Sequence, residues 1–132
     1  MKSFAYDIAN YLDSNSALFS FGSGSKNLKV GELVRGERGV FIIASGVEGA
    51  DHYLPFQYQT LEFWAVNESS EEGQEWLLAI YNLFHQAHHY NTNSYTIFFS
   101  HATTPIMDLD RDGEGRKLLK IGVRFICTNI IS

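Results

Sequence analysis

A single cysteine, Cys127, occurs among the 132 residues, so no disulfide can close within the chain. It ends an alternating apolar run, Leu119, Ile121, Val123, Phe125 and Cys127, and therefore reads as a small hydrophobe; no electropositive neighbours mark it as a reactive thiol. Positive charge is also scarce, with ten Lys and Arg against fifteen Asp and Glu and a net charge of −5. This balance lacks the concentrated positive field that a phosphate backbone demands, so no nucleic-acid recognition is expected. No stretch approaches the roughly 18 apolar residues of a bilayer span, and Met1–Asn10 lacks the charged-then-apolar layout of a secretion signal. No membrane partner and synthesis in a cytoplasm are the expectation. Repeats, linkers and low-complexity tracts are missing too, so residues 1–132 are read as a single domain.

Catalytic motifs are equally sparse. Gly22-Ser23-Gly24 has neither the strand and helix of a nucleophile elbow nor, with Lys26 nearby, the Gly-Lys-Ser/Thr order of a phosphate loop. Paired carboxylates occur at Glu71/Glu72 and between residues 108 and 114, where helix capping and solvation account for them. No catalytic residue and no cofactor are assigned, and the chain is not read as an enzyme.

What the chain does have is apolar and aromatic material: 45% hydrophobic residues, with ten Phe and seven Tyr, enough for a sheet and a helical layer. Phe4, Ala5, Ile8 and Leu12 line one face of a short helix over residues 3–13, with Ser3 as its N-cap. Asp13–Lys26 reads as a loop anchored by Phe19 and Phe21. Leu28 and Val30 alternate weakly, whereas Val40–Ala44 is a continuous apolar run suited to a central strand. Gly36 and Gly39 bracket the turn between them, and Gly46, Gly49 and Pro55 punctuate the loop that follows.

From Tyr58 to Val66, Leu61, Phe63 and Ala65 point one way while Thr60, Glu62 and Trp64 point the other. Ser69 with Glu72 forms a capping box. Beyond it Trp76, Leu77, Ile80, Leu83, Phe84 and Ala87 recur near the 3.6-residue period, which predicts one long helix over about 71–89. Extended segments follow at Tyr95–Ala102, Pro105–Leu109 and about 116–129, the last two joined by a hairpin at Asp112-Gly113. The expected fold is α+β: a mostly antiparallel twisted sheet with a short N-terminal helix and the long helix packed on one face.

Three groups of residues stand out as sites. Asp108, Asp110 and Asp112 with Gly113 match the first positions of a calcium loop, but Leu119 stands where the bidentate Glu belongs, and a solvated turn explains the same residues. His85, His88 and His89 crowd the end of the predicted helix, where two imidazoles could face one metal with His52 or His101 adding a ligand, or where the helix dipole favours them. Trp64, Tyr53, Phe56 and Tyr58 form an aromatic surplus suited to protein contact.

The order of elements, a short amphipathic helix, two strands, a strand ending Leu61-Glu62-Phe63-Trp64-Ala65-Val66, the Ser69-capped helix and a closing Val123-Arg124-Phe125-Ile126-Cys127, resembles the tail terminator (tail completion, head-tail joining) proteins of long-tailed bacteriophages. The resemblance implies a structural virion subunit that forms a hexameric ring on the head-proximal end of the tail tube. It implies as partners identical copies, the tail tube protein and a head-completion or connector protein. It carries no catalytic residues. A calcium-responsive binding module built on Asp108–Asp112, a small metal enzyme using the histidines, and another phage neck or head-completion protein are the alternative readings.

Overall fold

The computed structural model describes residues 4–16, 18–21, 27–31, 37–48, 57–111 and 115–129. In chain order these form α1 (Phe4–Asn15), β1 (Leu28–Val30), β2 (Gly39–Glu48), β3 (Gln57–Asn67), α2 (Ser70–Phe84), β4 (Ala87–Asn91), β5 (Tyr95–Ala102), β6 (Met107–Arg111) and β7 (Lys117–Asn129). The strands make one sheet in the order β1-β2-β3-β7-β5-β4. Only the β1–β2 pair is parallel among the described pairings. The α+β class with a mostly antiparallel sheet is therefore as the sequence led us to expect. Ser3, residues 22–24, Gly36, Gly49, His52, Tyr53, Pro55, Phe56, Asp112 and Gly113 lie outside the described residues.

Strand period decides the two faces. Leu61, Phe63 and Ala65 of β3 join Leu119, Ile121, Val123, Phe125 and Cys127 of β7 in one buried cluster, to which α1 contributes Ile8 and Leu12 and α2 contributes Leu77, Ile80 and Phe84. Both helices thus cover the same face, as a sheet with one apolar side requires. β2 fits its apolar run in part: Val40 and Ile42 enter the cluster and Phe41 is buried on the opposite face, but Ile43 is half-buried and Ala44 exposed. The strand also continues past Gly46 to Glu48 through a bulge between Ala44 and Gly46, where the sequence suggested a loop.

β5 and β6 run end to end along one side of β7, pairing with Tyr95↔Asn129 to Ala102↔Val123 and with Met107↔Lys120 to Arg111↔Lys117. Across the gap, Thr103 N–H donates to Gly122 O (2.8 Å) and Gly122 N–H donates to Thr104 Oγ1 (3.0 Å), so side-chain and backbone groups of the threonine pair replace the missing ladder. Close approach requires the glycine: a Cβ on Gly122 would stand 2.7 Å from Thr103 Oγ1.

Ser69 caps α2 as expected, its hydroxyl accepting from Glu72 N–H at 3.3 Å. The reciprocal half of the box is supplied differently, since Ser69 N–H donates to Asn67 Oδ1 at 3.0 Å. The predicted extent of this helix is corrected. It ends at Phe84, not near residue 89; His85 is extended (φ −72°, ψ 123°), and Gln86 and His89 take positive φ values of 55° and 49°. Ala87–Asn91 instead forms the strand β4 at the sheet edge. The apolar period persists through Ala87, but the tertiary pairing with β5 provides the backbone partners that a further helical turn would have provided. The turn is locked by a relay: Tyr90 OH donates to Ser100 Oγ (2.6 Å), whose own proton goes to Phe84 O (2.7 Å).

α1 is tied to the opposite end of the β4–β5 hairpin. Asp7, only 2% exposed, accepts from Thr92 Oγ1 (2.9 Å) and Ser94 N–H (2.7 Å). These charge-assisted bonds satisfy a carboxylate that burial would otherwise penalise.

Two outcomes follow for stability. Ser69→Ala should cost about 1 kcal/mol, and Phe84→Ala should cost about 3–5 kcal/mol because its cavity is shared by several elements. Urea denaturation read by far-ultraviolet circular dichroism checks both, and equal losses in the two variants would contradict the assignment of Phe84 to the centre of the core.

Candidate functional site

The sheet face opposite the helices carries the polar and aromatic residues that the strand alternation set apart. Among the described residues no helix packs on it. One row crosses four strands in register: Lys29 on β1, Phe41 on β2, Trp64 on β3 and Lys120 on β7. The row continues to Met107 on β6, and its two ammonium groups lie over rings, Lys29 Nζ 5.3 Å from the Phe41 centroid and Lys120 Nζ 5.2 Å from that of Trp64. Contacts of this kind contribute about 0.5–1 kcal/mol at exposed sites. Glu62 fixes both partners of the second pair, accepting from Trp64 Nε1 at 3.1 Å and pairing with Lys120 Nζ at 3.4 Å. Three rows further on, Tyr58 lies under the guanidinium of Arg124 from the adjacent row, with Cζ 4.7 Å from its ring centroid.

Of the four aromatic candidates, the structure brings Trp64 and Tyr58 onto this one face, while Tyr53 and Phe56 lie outside the described residues. Alternation alone places Trp64 and Tyr58 together. The cations that cover their rings come from strands distant in sequence, and only the pairing register Trp64↔Lys120 and the diagonal from Tyr58 to Arg124 reveal them.

The outward side of α2 is a second, chemically different surface. Glu71, Glu72 and Glu75 are exposed there, together with Leu78, which is 51% exposed. The helix contains no Lys or Arg, and none of the three carboxylates has an ion-pair partner among the described residues.

The acidic turn and the histidines are placed differently from the aromatic face. Asp108 sits on β6, and its carboxylate meets Lys117 Nζ at 2.6 Å. Asp110 belongs to the same strand, and Asp112 lies outside the described residues. His85 caps α2, stacks on Tyr81 at 4.4 Å between centroids, and accepts the Ala102 N–H at Nδ1 (3.1 Å). His88 and His89 fall on β4, so the helix-dipole account of them is replaced by a strand edge. His88 packs against Phe99, which stacks on His101. Among the described residues no three His, Cys, Asp or Glu side chains gather into a group that could hold a metal ion. Two open depressions are polar or shallow: one of about 240 Å³ beside Asn10, Tyr11 and Asn91, the other of about 350 Å³ beside Tyr81, His85 and Thr103–Pro105.

Cys127 is fully buried, and burial pushes its thiol up to about 12 from an ordinary 9.0. Burial likewise raises the Tyr90 hydroxyl, against the opposing effect of its bond to Ser100. A thiol that stays protonated to about 12 in the fold, but ionises near 9.0 once unfolded, makes deprotonation favour the unfolded chain between those values. Stability should therefore fall as pH rises through that window. Thermal melts between pH 8 and 11 test this, and Cys127→Ala should remove part of the slope. The calcium alternative has its own readout: with Asp108 held by Lys117 on a strand, calorimetric titration with calcium is expected to give no binding heat.

Among the described residues no helix is long and apolar enough to cross a membrane. No curated protein is found to match the sequence. The family model described as "Bacteriophage tail terminator protein" matches residues 34–129, a span running from before β2 to the end of β7 and taking in the aromatic face and the acidic helix. The chain belongs to the bacteriophage tail terminator family, a structural family of the phage tail whose members associate with other virion tail components.

Proposed function

We propose that this protein is a ring-forming subunit that caps the head-proximal end of the tail tube, stops addition of tube subunits and presents a surface to a head-completion or connector protein. Six copies make the ring in the virion. The observation that carries this reading is the family match over residues 34–129. Two dissimilar surfaces support it: the aromatic, cation-bearing sheet face, half-buried at Trp64 and Tyr58, and the exposed acidic side of α2. A closed ring made by head-to-tail contacts needs two different patches on each subunit, whereas a twofold dimer needs one that matches itself. Family membership points to a structural role in assembly, and no step of chemistry is assigned to any residue.

The test is direct. Added to polymerising tail tube protein, the chain should arrest growth and appear as a ring at one tube end in electron micrographs, with shorter tubes at higher dose. A strictly monomeric mass by light scattering at high concentration, combined with failure to bind tubes, would sink the reading. Binding to filled heads without binding to tubes would reassign the chain to the neck.

A further inference from the structure

The sheet face opposite the helices and the outward side of α2 differ in the way two halves of one contact differ. The sheet offers the half-buried rings of Trp64 and Tyr58 edged with cations, with Phe41 buried beside them; the helix offers carboxylates around one exposed aliphatic side chain. Lys29 and Lys120 stand three strand spacings apart, about 14 Å, with Phe41 and Trp64 between them. From Glu71 to Leu78 the helix rises about 10 Å, so its acidic and apolar elements fit within that row. Both ammonium groups have partners within the chain and, with three donors each, capacity beyond them: Lys29 Nζ donates to Arg38 O at 2.8 Å with Glu37 at 3.6 Å, and Lys120 Nζ meets Glu62 at 3.4 Å. On α2, by contrast, Glu71, Glu72 and Glu75 have no basic partner among the described residues.

We infer that the outward side of α2 in one copy docks on the sheet face opposite the helices of the next, with Glu71 and Glu75 toward Lys29, Lys120 and Arg124 and with Leu78 against the half-buried Trp64. The occupant is a second copy of this chain. The contact is heterologous, because the two patches come from different surfaces, and repeated contacts of this kind propagate in one rotational sense until the ring closes. The charges set orientation and partner choice, while Trp64 and Leu78 bury the apolar area at the centre. This inference rests on the ring reading above and assigns the surfaces by which the ring would be made.

Charge reversal tests it. Glu71→Lys with Glu75→Lys forms one variant, Lys29→Glu with Arg124→Glu a second, and all four changes together a third. Assembly is measured by light scattering at high concentration and by sedimentation with tail tubes, and thermal melts confirm that each variant is folded. Each two-residue variant should lose assembly at least tenfold, an equimolar mixture of the two should regain contacts, and the four-residue variant should assemble alone. The two reversals lie on separate surfaces, so misfolding of one leaves the other as a test; Leu78→Asp probes the helix side without changing any paired group. Wild-type assembly with silent reversals overturns this contact and leaves the ring reading standing. Loss of tube binding with self-association intact assigns α2 to the tube and overturns it too. A wild-type chain that assembles neither alone nor on tubes overturns both.

Discussion

Phe84 is where the architecture converges. Its ring lies 5.2 Å from Phe125 on β7, 6.0 Å from Phe63 on β3, 5.9 Å from Tyr11 on α1 and 6.3 Å from Tyr90 on β4, centroid to centroid. Its carbonyl accepts the Ser100 hydroxyl of β5. One residue therefore couples both helices to four strands, and it does so at the position where α2 stops. Aromatic pairs in such tilted and edge-on geometries contribute beyond their buried area, and a ring surrounded on all sides leaves little freedom for the elements that surround it. Because α2 must end here, the chain is free to turn back as β4 and extend the sheet.

That constraint also decides which face the described helices leave uncovered. With α1 and α2 both drawn onto the side of Phe63, Phe84 and Phe125, the described helical mass is all on one side of the sheet. On the other side Phe41 is buried and Tyr58 and Trp64 are half-buried, and these rings are stabilised within the sheet by cross-strand pairs: Lys29 on Phe41, Lys120 on Trp64, Arg124 on Tyr58. Such pairs hold large rings in fixed orientations. A preset aromatic surface loses less rotamer freedom on meeting a partner than a mobile one would, which suits an assembly subunit of a phage tail.

The strength of the core and the mildness of the surface chemistry fit together. Buried polar groups are satisfied locally, as with Asp7 by Thr92 and Ser94 and Ser100 by Phe84 and Tyr90. Among the described residues, Glu71, Glu72 and Glu75 on α2 are acidic groups without an ion-pair partner. Unpaired charge thus lies where it can select a partner, and the apolar area is concentrated where it holds the fold.

Much was legible from residues alone because it depends on local periodicity. The two-residue alternation of β3 and β7 put Phe63 and Phe125 inside and Trp64 outside, and Ser69 marked the start of α2 through hydrogen bonds that span only three residues. The end of α2 was not legible, since Ala87 continues the helical period and nothing local announces that β5 will pair with residues 87–91. Nor could the sequence show that His85 would accept an amide from residue 102, or that Asp108 would reach Lys117 diagonally across the β6–β7 ladder. The partners of Trp64 and Tyr58 were hidden for the same reason: register between strands separated by nearly sixty residues is set by the packing of the whole sheet. Sequence determined which side of each element is apolar; tertiary structure decided which elements share a side, because that choice minimises exposed surface for all of them at once.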